Sequence, residues 1–343
     1  MTVNRHILAS LTRITDLATT PFTIEALPRQ QWRQGDYVAA EVVRTMRTAR
    51  LVELPKGRLM EVLKGDLVIG AFGNRFATLE AVGSWTDIGE DGRLDLMTSA
   101  GLLGRCTSRS THSPALVPLR YSGHVMVQGQ QRAMGDYVTY QEPVPYRMPV
   151  VLIIGTSMSA GKTASGRVVV RMLKELGHKV VAAKLTGAGR YRDVLSMGDA
   201  GADAIFDFVD VGLPSSVCEP GDYRPALTEL LTRMQKTGAG VAVIEAGASP
   251  LEPYNGEAAI EMLGDNVRLT ILCASDPYAV LGVREAFGRT PDLVAGIASN
   301  TEAGIALTRK LTGIESANLL DPRTWEMLRE LLQGKLGRRQ ETG

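Results

Sequence analysis

The chain has 343 residues, 44% of them apolar and 22% charged, which excludes a disordered or fibrous protein and leaves material for about two domains. Lys plus Arg total 38 and Asp plus Glu 37, so the net charge is +1. Proteins that coat nucleic acid or an anionic membrane carry a strong basic excess, so neither is expected as a partner, and any polyanion bound should be small. Cys106, Cys218 and Cys273 stand far apart with no CxxC spacing. That argues against a zinc site or a disulfide framework and fits a reducing cytoplasm. The opening MTVNRHILASLTRITDL holds no continuous apolar stretch of signal-peptide type, and the longest aliphatic run, 150–154, is far short of a membrane span. A soluble, cytoplasmic protein is expected.

Residues 1–146 read as a smaller β-rich (α+β) domain, a small barrel or sandwich that serves substrate binding or oligomerisation. Gly35-Asp36, Gly65-Asp66 and Gly135-Asp136 each precede apolar residues, as in YVAAEVV and LVIGAF, the pattern of turns that lead into strands. Helices over about 1–16 and 95–103 are expected to decorate it. The densest polar and glycine-rich stretches are 70–80 and 99–108. They make Arg75 and Arg105 candidates for holding an anionic ligand, since arginine takes carboxylates bidentately. His124 is a third candidate. The plainer reading of each is structural.

Pro143, Pro145 and Pro149 form a stiff connector, and from 147 the rhythm becomes strand, turn, helix. Apolar runs fall at 150–154, 179–183, 205–209, 241–244, 269–273 and 293–298. Helical patterns lie at 162–176, 224–236, 256–263, 277–287 and 302–312, with a closing helix at 325–332. This alternation predicts an α/β domain over 147–333, a mostly parallel sheet with flanking helices. The polar stretch 334–343 is expected to be a flexible tail.

The strongest signal is VVLIIGTSMSAGKTASGRVVVRMLKELG. An apolar strand runs into a glycine-containing loop, then Gly161-Lys162-Thr163, then an amphipathic helix that stops at Gly177. Backbone N–H groups of such a loop and of the helix N-terminus point at phosphate oxygens, and glycine lets the backbone come close. Gly155, Ser157, Met158, Ser159, Ala160, Gly161, Lys162, Thr163 and Ala164 are therefore the candidate nucleotide cradle. Lys162 would reach the β- and γ-phosphates, and the Thr163 hydroxyl would hold Mg²⁺. Gly155 and Gly161 are separated by five residues rather than the usual four, and Thr156 stands at the usual first-glycine position.

The longer loop, GTSMSAGKT, resembles the GTDTxVGKT loop of dethiobiotin synthetase. Three further stretches match that family in order: Lys184 in AAKLTGAG, Glu245 in 243–248 (VIEAGA), and Asn300 closing GIASN. The resemblance covers about 150–320 and leaves the N-terminal domain unrecognised. It implies that Lys184 serves phosphate and substrate, that Glu245 serves Mg²⁺, and that Asn300 contacts the nucleobase at the end of a strand. ATP rather than GTP follows from Asn300 and from the absence of any Asn-Lys-x-Asp string.

Position alone supports Glu245 and Lys184 as catalytic, since ligands of open α/β sheets bind outside the carboxyl ends of strands. Among Asp193, Asp199 and Asp203, at most one is expected to be functional. Asp199, bracketed by Gly198 and Gly201 in an expected loop, is chosen as a further metal ligand beside Thr163 and Glu245. Ser249, Glu252, Tyr254 and Asn255 form an ordered turn that either touches substrate or only enters a helix. Asp276 mimics the base-reading aspartate of GTP-binding proteins without its motif.

These residues predict an ATP- and Mg²⁺-dependent enzyme that activates a small-molecule carboxylate, or similar group, by phosphoryl transfer, ligase- or kinase-like. The alternative is an ATPase switch or assembly factor acting on a protein partner. Related ATPases of that type carry a lysine early in the loop, where this chain has Thr156-Ser157-Met158-Ser159. The expected partners are an anionic small molecule and further copies of the chain, as a homodimer or larger homo-oligomer.

Overall fold

The computed structural model describes residues 6–45, 51–247 and 249–337. The chain forms two compact units. The first runs to Tyr140 and takes in Ala188–Arg192 and Phe208–Ala226. The second holds Gln141–Gly187, Asp193–Asp207 and the described residues from Leu227 onward.

In the first unit, five strands close a ring: β1 (Tyr37–Val42), β2 (Leu67–Phe72), β3 (Arg93–Thr98), β4 (Leu102–Arg109) and β5 (Val117–Val127). β1 pairs antiparallel with β2 and β5, β5 with β3, and β3 with β4. Parallel pairing of β4 with β2, Leu102 with Ala71 and Leu103 with Phe72, closes the barrel. Val38, Ala40, Val68, Leu94, Leu96 and Leu119 pack in its core. The Gly-Asp pairs have a common cause. The carboxylates of Asp36, Asp66 and Asp136 accept the N–H three residues earlier, from Arg33 (2.6 Å), Leu63 (2.8 Å) and Ala133 (2.8 Å). Gly35 and Gly65 supply the positive φ of the first two turns, at 84° and 90°. Those turns lead into β1 and β2. The third pair, Gly135-Asp136, lies within a single 3₁₀ turn, Met134–Tyr137, and leads into no strand.

Both helices expected in this unit are absent among the described residues. Residues 1–5 lie outside them, and from His6 the chain forms a short strand, His6–Leu8, and a 3₁₀ turn, Ser10–Thr12. The stretch 95–103 is the hairpin between β3 and β4. Gly101 turns it at φ 95°, and a Cβ there would lie 2.4 Å from the Ala9 Cβ. Alternate burial of Leu94 and Leu96 along β3 is the strand period, which the apolar content alone did not separate from a helix.

The second unit is a six-stranded parallel sheet: β6 (Val150–Gly155), β7 (Val180–Thr186), β8 (Ala204–Asp207), β9 (Val241–Ala246), β10 (Val267–Cys273) and β11 (Leu293–Ala295). The order across the sheet is β8-β7-β9-β6-β10-β11. β6, β7 and β9 are buried throughout, as strands covered on both faces must be, which is why they read as unbroken apolar runs. The chain's described helices are α1 (Lys162–Glu175), α2 (Tyr191–Asp199), α3 (Pro220–Lys236), α4 (Gly256–Leu263), α5 (Pro277–Phe287), α6 (Glu302–Thr312) and α7 (Trp325–Leu336); residues 191–192 of α2 and 220–226 of α3 belong to the first unit and the rest to the second. Val169, Met172 and Leu173 of α1 pack with Leu328 and Leu332 of α7 over Val151 and Ile153 of β6. α7 continues through Leu336, so residues 334–336 are helix rather than tail; 338–343 lie outside the described residues.

Candidate functional site

β6 ends at Gly155, the loop 156–161 follows, and Gly161, at φ 99°, opens α1. This strand–loop–helix is a P-loop. Its lysine is folded inward: Lys162 is 1% exposed and its Nζ donates to the carbonyls of Ser157 (2.5 Å) and Met158 (3.4 Å). Gly155 makes room for that side chain, since a Cβ there would lie 2.8 Å from Lys162 Cδ and 2.9 Å from its Nζ. Burial pulls the Lys162 ammonium below the ordinary lysine range, with the Glu245 charge opposing. Thr156 ties the start of the loop to the next one: its hydroxyl bonds the Ser275 hydroxyl at 3.2 Å and accepts the Ser275 N–H at 3.0 Å.

Beside the loop, three charged residues stand in one register row at the carboxyl ends of adjacent strands. Glu245 on β9 faces Lys184 on β7, and Lys184 faces Asp207 on β8. All three are buried. The Thr163 hydroxyl donates to Glu245 Oε2 at 2.8 Å, joining the row to the P-loop. Lys184 Nζ meets Asp193 Oδ2 of α2 at 2.5 Å. Burial pulls the Lys184 ammonium toward neutrality, but Asp193, Glu245 and Asp207 outweigh it and hold it above the ordinary lysine range. Burial likewise pushes the Glu245 carboxyl up, against the pull of the Lys184 charge. Gly247 and Gly187 flank Lys184: a Cβ would fall 2.6 Å and 3.1 Å from its Cε.

The structure thus brings together Lys162, Thr163, Lys184 and Glu245. It does not bring Asp199 to them. That residue is the exposed last residue of α2, since Gly198 continues the helix instead of opening a loop. The acid at the site is Asp193, at the start of the same helix. Asp203 holds Lys174 (2.7 Å) and the Val180 N–H (2.7 Å), a structural role. Asp207 was missed; an acid inside the apolar run 205–209 was its signal. Asn300 is exposed and does not end a strand: β11 stops at Ala295, where Gly296 takes φ 80°, and a 3₁₀ turn, Ile297–Ser299, intervenes. That turn still borders the P-loop, because a Cβ on Gly161 would lie 3.2 Å from Gly296 Cα.

Glu252 accepts the Ser249 N–H at 2.7 Å, Tyr254 is fully buried and Asn255, at φ 60°, caps α4, so this segment is a helix-entry turn. Ala248 of the glutamate motif lies outside the described residues. Asp276 caps α5 through the N–H groups of Tyr278 (2.9 Å) and Ala279 (3.0 Å). In the first unit, Arg75 binds the Met97 carbonyl (2.6 Å) and pairs with Glu80, Arg105 pairs with Asp91 (2.9 Å), and buried His124 bonds the Tyr121 hydroxyl (2.6 Å). Each has an internal partner. Cys273 is buried beside the Ser165 hydroxyl, and burial pushes its thiol up to about 11. No described helix is long and apolar enough to cross a membrane.

No family model and no curated protein matches the chain. Solved structures do. Hydrogenase maturation factor HypB from Archaeoglobus fulgidus is 15% identical, over 56% of this chain and 92% of that one, with a TM-score of 0.39. A DUF1611 family protein from Anabaena variabilis is 16% identical, over 57% and 62%, with a TM-score of 0.38. FtsY from Mycoplasma mycoides is 15% identical, over 53% and 63%, with a TM-score of 0.33. No function is taken from likenesses this distant, and the dethiobiotin synthetase subclass rests on the four sequence stretches alone.

Proposed function

We propose that the second unit binds a nucleoside triphosphate with Mg²⁺ and uses it for phosphoryl transfer to an anionic small molecule. The observation that carries this reading is the Thr163–Glu245 hydrogen bond: a P-loop hydroxyl and a buried strand-end carboxylate at 2.8 Å, flanked by two buried lysines. Hydroxyl and carboxylate oxygens are the donors Mg²⁺ prefers, and one or two carboxylates beside phosphates and water complete its shell. Thr163 and Glu245 would hold the ion, and bound Mg²⁺ would supply positive charge next to the transferring group. Lys162 would leave the Ser157 and Met158 carbonyls for the β- and γ-phosphates. Lys184 would face the γ-phosphate or a substrate carboxylate. Catalysis of this kind is mainly positioning and charge stabilisation, for which two buried ammonium groups beside the loop suit.

ATP is the proposed nucleotide, on the strength of the family resemblance at Asn300 and the missing Asn-Lys-x-Asp string. A competition assay in which GTP displaces labelled ATP at equal or lower concentration overturns that choice. The reaction is tested with Glu245→Gln over a panel of carboxylate and amine metabolites. Turnover should fall about 10²-fold while ATP affinity changes little. Full activity of the variant would make Glu245 an ordinary strand-end acid. Turnover in the unaltered protein that rises only with a protein partner would replace the enzyme reading by that of a nucleotide-operated switch.

A further inference from the structure

His124 is fully buried in the barrel unit, and its two ring nitrogens are engaged differently. Nδ1 lies 2.6 Å from the Tyr121 hydroxyl. Nε2 lies 3.3 Å from Asp36 Oδ2 and makes no aligned hydrogen bond among the described residues. Tyr121 and His124 are three apart on β5 and would face opposite sides of a regular strand. A bulge between Tyr121 and Gly123, opposite Ala40 and Ala39 of β1, takes up one residue and brings both side chains to one side.

The cluster holds the segment that precedes β1. The Leu27 N–H donates to the Tyr121 hydroxyl (3.2 Å), the Trp32 indole N–H to the Leu27 carbonyl (2.9 Å), and the Arg33 N–H to Asp36 Oδ2 (2.6 Å). Trp32 packs on Tyr121 with ring centroids 4.5 Å apart. The other charged groups on the elements around His124 are Glu25 of the strand Thr23–Glu25, Arg29 and Arg33 of the loop, Glu41 of β1, Arg120 of β5, and Arg132 and Asp136 beyond it. Arg132 is half-buried and the rest are exposed, so Asp36 is the buried charge that His124 meets. Tyr37 of β1 gives its hydroxyl to the Leu11 carbonyl (2.9 Å).

Counting donors decides what a proton on His124 does. Beside a carboxylate, the neutral imidazole carries its proton on Nε2, and Nδ1 accepts from the Tyr121 O–H. The hydrogens then run in one direction, from Leu27 N–H to the Tyr121 oxygen and from Tyr121 O–H to Nδ1. In the imidazolium both nitrogens are donors. Leu27 N–H, Tyr121 O–H and Nδ1–H then meet at a single acceptor, the phenol oxygen, and a donor is left without a partner. Asp36 gains an ion pair with the imidazolium, so the conflict falls on the Tyr121 side.

We infer that Asp36, His124 and Tyr121 form a proton-operated latch on residues 27–33 of the barrel unit, closed by the neutral imidazole and opened by the imidazolium through release of Leu27. The latch does not depend on the nucleotide reading of the second unit.

The test follows tryptophan emission of the full chain from about pH 8 to about pH 5, the span in which imidazole changes charge, with far-ultraviolet circular dichroism as the check on folding. Emission should step to longer wavelength as the pH falls and the Trp32 indole gains water, while the dichroism stays constant. Substituting His6→Gln, His112→Gln and His178→Gln together should leave the step in place. Tyr121→Phe keeps the ring but gives Leu27 no acceptor, so it should show the low-pH emission at every pH. Asp36→Asn keeps an oxygen for the Arg33 N–H but removes the charge that favours the imidazolium, so the midpoint should fall by about one pH unit. The inference is overturned by no step in the unaltered chain, by a step lost in the triple substitution, by a step retained in Tyr121→Phe, or by a midpoint that Asp36→Asn does not move. A step that coincides with loss of dichroism also overturns it, since that marks acid unfolding of the chain.

Discussion

Both units bury carboxylates, but they satisfy them in different ways. In the barrel unit, fully buried Glu53 accepts from the Ser10 hydroxyl (2.5 Å), the Tyr191 N–H (2.8 Å) and the Arg192 N–H (3.1 Å). In the parallel-sheet unit, Glu245 is held by the Thr163 hydroxyl and by the charge of Lys184, and Lys162 rests on two loop carbonyls. Backbone N–H groups cannot leave without unfolding a segment, whereas side chains on a loop can change partners when a ligand arrives. A buried charge closed on backbone therefore reads as architecture. One closed on movable groups at strand ends reads as a site.

The largest expected contrast comes from Lys162→Ala. Turnover should fall about 10²- to 10³-fold, since the ammonium would act on charge that develops at the transferring phosphoryl. Unfolding stability should hold or rise, because a desolvated ammonium with only carbonyl partners has been removed. Urea unfolding and a phosphate-release assay read the two effects separately. A stability loss matching the activity loss would make Lys162 a structural lysine. Glu53→Ala should do the reverse. It strands three donors in the barrel unit, at a cost of about 3 kcal/mol, while ATP affinity of the folded fraction stays unchanged. If Glu53→Ala unfolds at the midpoint of the unaltered chain, the distinction between backbone-closed and side-chain-closed charges does not hold.

Legibility in the sequence divides along the same line. In the second unit, strands covered on both faces read as apolar runs, helices carry their period, and Gly177, Asp276-Pro277 and Thr301 mark their ends. Five of its helices accordingly lie within a few residues of the expected spans. The P-loop and Glu245 were legible because local order carries them. Asp193 and Asp207 were not, because the register of β7 against β8 and the start of α2 bring them to Lys184, and neither is encoded in spacing. In the first unit the Gly-Asp turns were legible, but closure of the ring depends on the non-local pairing of β4 with β2, and the hairpin 95–103 looked helical on apolar content.

Paired glycine substitutions give the next largest effect. Gly296, at φ 80°, would set a Cβ 2.2 Å from the Ala160 carbonyl oxygen, and Gly101, at φ 95°, would set one 2.4 Å from the Ala9 Cβ. Alanine at either should cost about 1–3 kcal/mol of stability through backbone strain and overlap. Only Gly296→Ala presses on the P-loop, so it alone should also weaken ATP binding, by about tenfold. Calorimetric titration of both folded variants checks this. Equal affinities would mean that the loop absorbs the displacement and that its position against Gly296 is not part of the site.

The smallest contrast separates two aspartates of one helix. Asp193→Asn removes the charge paired with Lys184 at 2.5 Å while keeping the size of the side chain. The lysine then has Glu245 and Asp207 as its remaining acidic neighbours and no partner on α2 to fix its direction. Turnover should fall about tenfold, with ATP affinity within twofold, because a misdirected ammonium costs transition-state charge stabilisation rather than ground-state binding. Asp199→Asn alters an exposed residue at the end of the same helix, so turnover should not change and stability should stay within about 0.5 kcal/mol. Because both substitutions remove one negative charge, a general effect of net charge cancels between them, whereas the helix dipole favours the acid at the start of α2 and disfavours the one at its end. The reverse outcome, a loss with Asp199→Asn and none with Asp193→Asn, would return the functional acid to the glycine-bracketed position that spacing favours. It would reduce the Lys184–Asp193 pair to a structural contact.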